Sequence, residues 1–400
     1  MESDLHDGLE RPFAGDNGLL PEPPEPGDHA AWLELAERRR VEGDSPGERW
    51  AMERVIDLAS RPATFDRRAI LVAARRLTRL EAPESAAAAW RTVLSNDPHH
   101  LEARNQLAEL ELYDLPPGDR QFRMKLGVLG NCQAYGLADW LRRLYPDVEI
   151  RALSLGELAG PEEVDATAEL YSGFDAVISQ ALGTRRGALR SASMAVSAKR
   201  YVLYPSIIFH GLHPDMVPPG AYPRGLHSRL VMAGLAMGLS QERVAELFNA
   251  YVYGVLGYFD AWAKAERHLL TTAAPYDFGL EASLPAWRAD GAFMHTPAHP
   301  CIRVFSSIAG RVAASLELGP ARADADPTDM LEPFGVWPVY PEIARRLGMT
   351  GDLTFRLQSL PPMSLQEMIA YEYAHSARLD EESLLASVGD VIAILRREGV

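Results

Sequence analysis

The sequence predicts a helix-rich α/β domain, a small parallel sheet flanked by helices, preceded by an all-α helical-repeat segment. Three observations predict it. Apolar residues recur at helical spacing from about residue 30 to residue 110, with no strand-like run among them. Pro116-Pro117-Gly118-Asp119 then breaks the chain. Beyond the break, short apolar runs alternate with amphipathic stretches, which is the grammar of strand–helix–strand units with right-handed crossovers.

The elements follow in order. The first 28 residues hold five prolines, and residues 1–60 carry 15 Asp and Glu against 6 Arg, so −9 of the net charge of −15 falls there. Such a stretch buries too little apolar surface to offset chain entropy, and residues 1–28 are expected to form a disordered acidic tail. The helical segment spans 29–116. Trp32, Leu33, Leu35 and Ala36 open it, and Trp50, Val55, Ile56 and Leu58 follow. Ile70, Leu71, Ala74, Leu77 and Leu80 then lie on one helix face, as do Ala86, Ala87, Trp90, Val93 and Leu94. Residues 86–110 resemble a tetratricopeptide unit, with small residues where helices touch and an Asp97-Pro98 turn between them. One repeat cannot bury its own face. The segment therefore reads either as a protein-partner-binding solenoid or as a helical spacer.

Residues 121–400 read as the α/β domain. Strands are expected over 124–129, 148–153, 174–179 and 201–204, with a helix over Gln133–Leu144 after the first. Helices are expected over 226–270, 301–316, 341–348 and 364–398.

Composition excludes several function classes. Two cysteines, Cys132 and Cys301, cannot build a disulfide scaffold or a four-coordinate structural zinc site by themselves. The acidic balance argues against general nucleic-acid binding. No run of 18 apolar residues marks a membrane span, and the first residues lack a signal-peptide core. The expected compartment is the cytoplasm, with both thiols reduced.

Leu129-Gly130-Asn131-Cys132-Gln133 is the most informative stretch. It lies where the first strand hands over to the first helix, and ligands of open α/β sheets sit beyond the carboxyl ends of strands. Gly130 permits a sharp turn. Cys132 at a helix N-terminus faces unpaired N–H groups and the positive dipole end, which favour a nucleophilic thiolate. Asn131 and Gln133 carry amide donors suited to an oxyanion. The alternative is a cysteine acting as a small buried hydrophobe in a tight turn. A second cluster follows the fourth strand: Ser206, His210, His213 and Asp215. It suits a metal, the orientation of a sugar hydroxyl or a base, or simply a surface loop with capping groups; no metal is assigned. The third is His295-Thr296-Pro297-Ala298-His299-Pro300-Cys301. Pro300 is expected to start a helix, placing His299 at its mouth as a general base, with His295 as the alternative base and Cys301 as packing inside the helix.

With these three motifs in order, the chain from about Phe122 onward resembles the WcbI-type polysaccharide biosynthesis proteins, bacterial proteins associated with capsule assembly. The resemblance rests on Leu129-Gly130-Asn131-Cys132-Gln133-Ala134, on the run from Tyr204-Pro205-Ser206 to His213-Pro214-Asp215, and on Thr296-Pro297-Ala298-His299-Pro300. It implies binding of coenzyme A or acetyl-coenzyme A as substrate and acetyl transfer onto a sugar of a capsule or polysaccharide precursor. A more distant similarity joins the Gly130-Asn131-Cys132 turn to the G-D-S turn of SGNH hydrolases. This chain departs from them in having Cys132 for the serine and Thr296-Pro297-Ala298-His299 for the D-x-x-H block, so a Cys132–His299 pair is expected, with Asp215 available as an orienting carboxylate. On this reading Gln180, after the third strand, joins Asn131 and Gln133 at the oxyanion. Arg185, Arg186 and Arg190 either meet the phosphates of coenzyme A or form a solvated helix face. The rival functions are a carbohydrate esterase using the same residues, and a non-catalytic module that binds coenzyme A or a glycan.

Overall fold

The computed structural model describes residues 28–61, 65–80, 82–97, 100–112, 122–156, 158, 160–217, 226–276, 278–357, 360–376 and 381–399. The acidic tail expected over 1–28 lies outside them except for Asp28, and so does the Pro116–Asp119 break. The chain divides into two compact units, Met1–Pro116 and Pro117–Val400.

The first unit is helical: α1 (His29–Val41), α2 (Ser45–Ala59), α3 (Arg67–Arg79), α4 (Pro83–Asn96) and α5 (Leu101–Leu112). Aspartates cap the first three, since Asp28, Asp44 and Asp66 each accept backbone N–H bonds from the opening turn. Each helix packs on the next around Trp32, Leu35, Met52, Val55, Ile70, Leu77, Trp90 and Val93, all buried. Glu102 is buried and accepts two bonds of 2.8 Å from the Arg75 guanidinium, so its charge is paired rather than orphaned.

The second unit begins with β1 (Met124–Gly130), α6 (Gln133–Leu144), β2 (Val148–Ser154), α7 (Pro161–Ser172), β3 (Ala176–Ser179), α8 (Ser191–Ser197) and β4 (Tyr201–Leu203). The four strands form one parallel sheet in the order β2-β1-β3-β4. Leu126, Val128, Leu129, Val177 and Ile178 are fully buried, as central strands covered on both faces require. Strand β2 alternates buried and half-buried residues, the pattern of an edge strand. Helix α6 buries Leu137, Ala138 and Leu141.

The remaining elements are α9 (Arg229–Ala236), α10 (Gln241–Glu246), α11 (Ala250–Val255), α12 (Ala261–Ala273), α13 (Leu280–Ala289), β5 (Met294–Thr296), β6 (His299–Pro300), α14 (Val304–Leu316), β7 (Gly335–Val336), α15 (Pro341–Leu347), β8 (Arg356–Leu357), α16 (Leu365–Ser376) and α17 (Glu381–Arg397). Strands β5 and β6 pair antiparallel, as do β7 and β8.

The region 226–270 is helical as expected and holds four helices, with Ser240 and Asn249 capping new starts and Gly257 in a left-handed conformation at φ 71°. The region 364–398 holds two, α16 and α17. One expectation is corrected: the helix expected from Pro300 begins at Val304 instead. Pro300 pairs with Met294, and the Cys301 N–H donates to the Phe293 carbonyl at 2.9 Å, so hairpin pairing holds these residues out of the helix. His299 is therefore a strand residue, and Cys301 stands half-buried ahead of α14 rather than packed inside it.

Helix α14 lies against α6 where Gly136 meets Phe305. A Cβ at 136 would stand 2.5 Å from Phe305 Cε2, inside the contact distance of two carbons. Gly136→Ala is accordingly expected to cost ~1–3 kcal/mol by overpacking. Gly310→Ala, in the exposed middle of α14 with no atom within 4 Å of the new Cβ, should stabilise by ~0.5–1 kcal/mol. Chemical denaturation of the two variants checks the opposite signs.

Candidate active site

The carboxyl end of β1 turns directly into α6. Cys132 occupies the N-cap position of that helix, and its own side chain makes no cap bond. The cap is supplied by Asn131, whose Oδ1 accepts the Gln133 N–H at 3.0 Å. The reason for Gly130 differs from the expected sharp turn. A Cβ there would lie 2.5 Å from Tyr204 Oη and 3.0 Å from Gln180 Oε1, so glycine is needed for close approach.

Asn131 and Gln180 hold each other. Gln180 Oε1 accepts the Asn131 N–H at 2.9 Å, and its Nε2 donates to Asn131 Oδ1 at 3.2 Å. Asn131 Nδ2 in turn donates to Ser206 Oγ at 3.2 Å. Each amide keeps one N–H beyond these bonds, so both still fit an oxyanion role.

Gln133 does not. Its side chain is fully buried, and Nε2 donates both hydrogens, to Ile207 O at 2.8 Å and to Ala298 O at 2.9 Å. Its Oε1 accepts the Ile207 N–H at 2.9 Å. No donor is left for an oxyanion, and the expected role is replaced by a clamp. The clamp joins the second and third motifs to the first, and the Phe209 N–H bond to Pro297 O at 2.8 Å extends the seam. His299, next to Ala298, is thereby held at the Cys132 turn.

Three histidines share the region. His295 Nε2 lies 2.8 Å from Asp329 Oδ2, and its Nδ1 lies 3.8 Å from Cys301 Sγ. Burial works to lower the His295 pKa, but bonding to Asp329 and the Cys301 sulfur outweighs it and raises the value to about 9. His299 is pushed the other way, by burial and then by the His295 charge, to about 4. Its Nδ1 is buried without a hydrogen bond, and its ring packs on Phe334 at 5.3 Å between centroids. His213 is fully buried with neither ring nitrogen hydrogen-bonded, and burial followed by the His295 charge lowers its pKa to about 3. At neutral pH one cationic imidazole thus stands among two neutral ones.

Two expected site residues lie elsewhere. Asp215 is not available to orient a histidine. Its Oδ1 accepts from the Leu230 N–H and Tyr258 Oη, and its Oδ2 from Ser228 Oγ and Tyr340 Oη, at 2.5 to 3.0 Å. It is a buried structural carboxylate tying α9 to the loops before α12 and α15. His210 is half-buried near His268 and Arg229, and burial followed by those charges lowers its pKa. The arginines lie on the surface after β3. Arg186 donates to Leu155 O at 3.1 Å, Arg190 to Ser193 Oγ at 2.8 Å, and Arg185 is exposed.

Sequence reasoning missed Asp329 and the Tyr204 hydroxyl. Asp329 follows the exposed Asp324 and Asp326, and nothing in the sequence distinguishes it from them. It is selected by tertiary bonding: Asp139 on α6 accepts the Thr328 N–H at 2.7 Å and so fixes the loop. Tyr204 Oη is buried beside Gly130 without a hydrogen bond, and burial together with the Cys132 sulfur raises its pKa.

Comparisons with known proteins agree with this architecture. An open parallel sheet with a Gly-Asn-Cys-Gln turn at its edge defines the class, and residues 125–321 match the family described as polysaccharide biosynthesis enzyme WcbI. Over those residues the α/β unit of this chain is similar to that family. A solved structure described as WcbI, a novel polysaccharide biosynthesis enzyme, in a native form without a disulfide bond between coenzyme A and a cysteine, matches with a TM-score of 0.56 at 18% identity. It covers 69% of this chain and 99% of the other, and the likeness shows a shared fold. No curated protein matches the chain. Among the described residues no helix is long and apolar enough to cross a membrane.

Two outcomes test the site's energetics. Gln133→Leu leaves three backbone groups unpaired, the two of Ile207 buried and that of Ala298 half-buried, and should lower stability by about 2–3 kcal/mol or more, read by urea denaturation. His213 and His299 have folded pKa values near 3 and 4 against an ordinary 6.5. Between pH 6.5 and 4 the unfolded chain therefore binds protons that the folded chain does not, and stability falls as pH falls through that window. His295 works in the opposite sense: its contribution is complete below pH 6.5 and is lost as pH rises through about 9. Melting curves across this range should show a maximum between the two limits, and the acid limb should be shallower in His299→Gln.

Proposed function

We propose that this chain transfers an acyl group, in the simplest case acetyl, from coenzyme A to a sugar hydroxyl during assembly of a bacterial capsular or other polysaccharide. The observation that supports this reading is the Cys132 turn itself. A thiol at the amino end of α6 is joined, through the Gln133 clamp, to a loop carrying a neutral imidazole. Coenzyme A supplies the acyl thioester as substrate. Cys132 attacks the thioester carbonyl, Asn131 and Gln180 donate their remaining N–H groups to the oxyanion, and the coenzyme thiol leaves. His299 then takes the proton of the sugar hydroxyl as its oxygen attacks the acyl carbonyl, the bond to Cys132 breaks, and His299 returns the proton to the departing sulfur; a neutral imidazole is able to take that proton and a cationic one is not.

The unpaired Tyr204 Oη and His299 Nδ1 are consistent with an oxygen-rich ligand seated at this edge. Arg185 and its neighbours are the candidates for the phosphates of coenzyme A, and Ser206 and His213 for the acceptor side. The helical unit before the domain would serve a protein partner.

Incubation with radiolabelled acetyl-coenzyme A tests the reading. Label is expected on Cys132 and absent from Cys132→Ala. His299→Ala should retain the label yet lose about 100- to 10,000-fold in transfer to sugar. Failure of coenzyme A to bind would refute the proposal, and acetate release without a sugar acceptor would identify a hydrolase instead.

A further inference from the structure

Cys301 carries better-defined support than a packing residue needs. His295 Nδ1 lies 3.8 Å from its sulfur, and His295 Nε2 lies 2.8 Å from Asp329 Oδ2. Asp329 is itself immobilised. Its Oδ2 also accepts the Ile302 N–H at 2.9 Å, and its Oδ1 accepts the Leu331 and Glu332 N–H groups at 3.2 and 3.3 Å. With Nε2–H committed to the carboxylate, Nδ1 is the nitrogen that shares a proton with the thiol. The sulfur is half-buried, so a small reagent reaches it.

The three donor groups lie within 4.8 Å of one another, a spacing that would also admit a metal ion. The bonding already present speaks for a relay instead. Asp329 accepts four N–H bonds, and the two ring nitrogens of His295 face two different partners.

We propose that Cys301, His295 and Asp329 form a second nucleophilic centre, distinct from Cys132, that undergoes exchange with small-molecule disulfides. The choice of disulfide over thioester follows from what surrounds the sulfur. Acyl transfer needs donors for an oxyanion, but the backbone group bonded to Cys301 Sγ is an acceptor, the Ala292 carbonyl at 3.7 Å. The amide donors of the site are gathered at Asn131 and Gln180 instead. Exchange between sulfurs develops no oxyanion. In the step, the proton shared between Cys301 and His295 rests on Nδ1, and the Cys301 sulfur attacks one sulfur of the disulfide. A new S–S bond forms, the old one breaks, and the departing thiolate takes the proton to leave as a thiol. Other titratable or charged groups near the relay are His213, His299 and Arg303, whose guanidinium is bonded to the Ala292 carbonyl.

The test uses full-length Cys132→Ser protein, in which Cys301 is the sole cysteine, and dipyridyl disulfide, with release of thiopyridone followed by absorbance and the adduct by mass spectrometry. Release of one equivalent is expected at pH 7, about ten-fold or more faster than from the same protein unfolded in urea. The folded His295→Gln variant should lose that advantage, and its rate should climb with pH where the parent's stays flat. Asp329→Asn should fall between. Should either variant fail to fold, the native-against-unfolded comparison still decides. A native rate no greater than the unfolded rate overturns the proposal. So does a bound zinc ion whose removal by chelator is required for reaction. Because no coenzyme A is used, failure here leaves the acyl-transfer reading standing, and failure of coenzyme A binding leaves this one standing.

Discussion

One buried amide organises the site. Gln133 closes hydrogen bonds to residues 74 and 165 positions away in the chain, and all of its polar capacity is spent on backbone groups. Loops after different strands have no intrinsic reason to converge, and unpaired backbone groups buried between them would be costly. The amide removes that cost and fixes the spacing at the same time. Everything chemical about the site depends on it, because Cys132 is the preceding residue and His299 follows the carbonyl it binds. The neighbouring residue Asn131 plays the complementary part: it caps α6 and holds Gln180 and Ser206.

Electrostatics then divides the histidines. Chemically identical side chains, crowded into one region, cannot all be charged. Asp329 decides which one is, because its carboxylate touches His295 alone of the three, while burial, and after it the His295 charge, keeps His213 and His299 neutral. Proton-accepting capacity at His299 thus comes from its burial, reinforced by a charge on its neighbour. Asp215, the carboxylate that the motif spacing offers, is absorbed by four donors into the support of α9 and takes no part in this division.

The fold was largely legible because its signals are local. Apolar runs marked all four strands of the sheet to within two residues, and helical periodicity marked α6. The region 226–270 was legible as helical from its apolar periodicity, and Ser240 and Asn249 cap helix starts within it. At the site, the Gly130–Gln133 turn was legible because a strand-to-helix junction can be read from neighbouring residues. The partners of each side chain were not. Gln133 looks like a free donor in the sequence and is consumed in the fold. Pro300 has the form of a helix start, yet pairing with Met294 outweighs that local preference. Asp329 had no local signal at all, since Asp139 on a distant helix positions its loop.

The meeting of Gly136 with Phe305 bears on how this site can vary. Helix α14 follows directly from the segment that holds His299 and Cys301, so the distance between α6 and α14 is also a spacing between the two halves of the chemistry. A methyl group at 136 would need roughly 1 Å more room against the phenyl ring. A single hydrogen atom on α6 therefore acts as the gauge block of the site. Enlarging the side chain there would have to be matched by a smaller ring at 305, so that the two positions can change only as a pair if the thiol and the imidazole are to keep their separation.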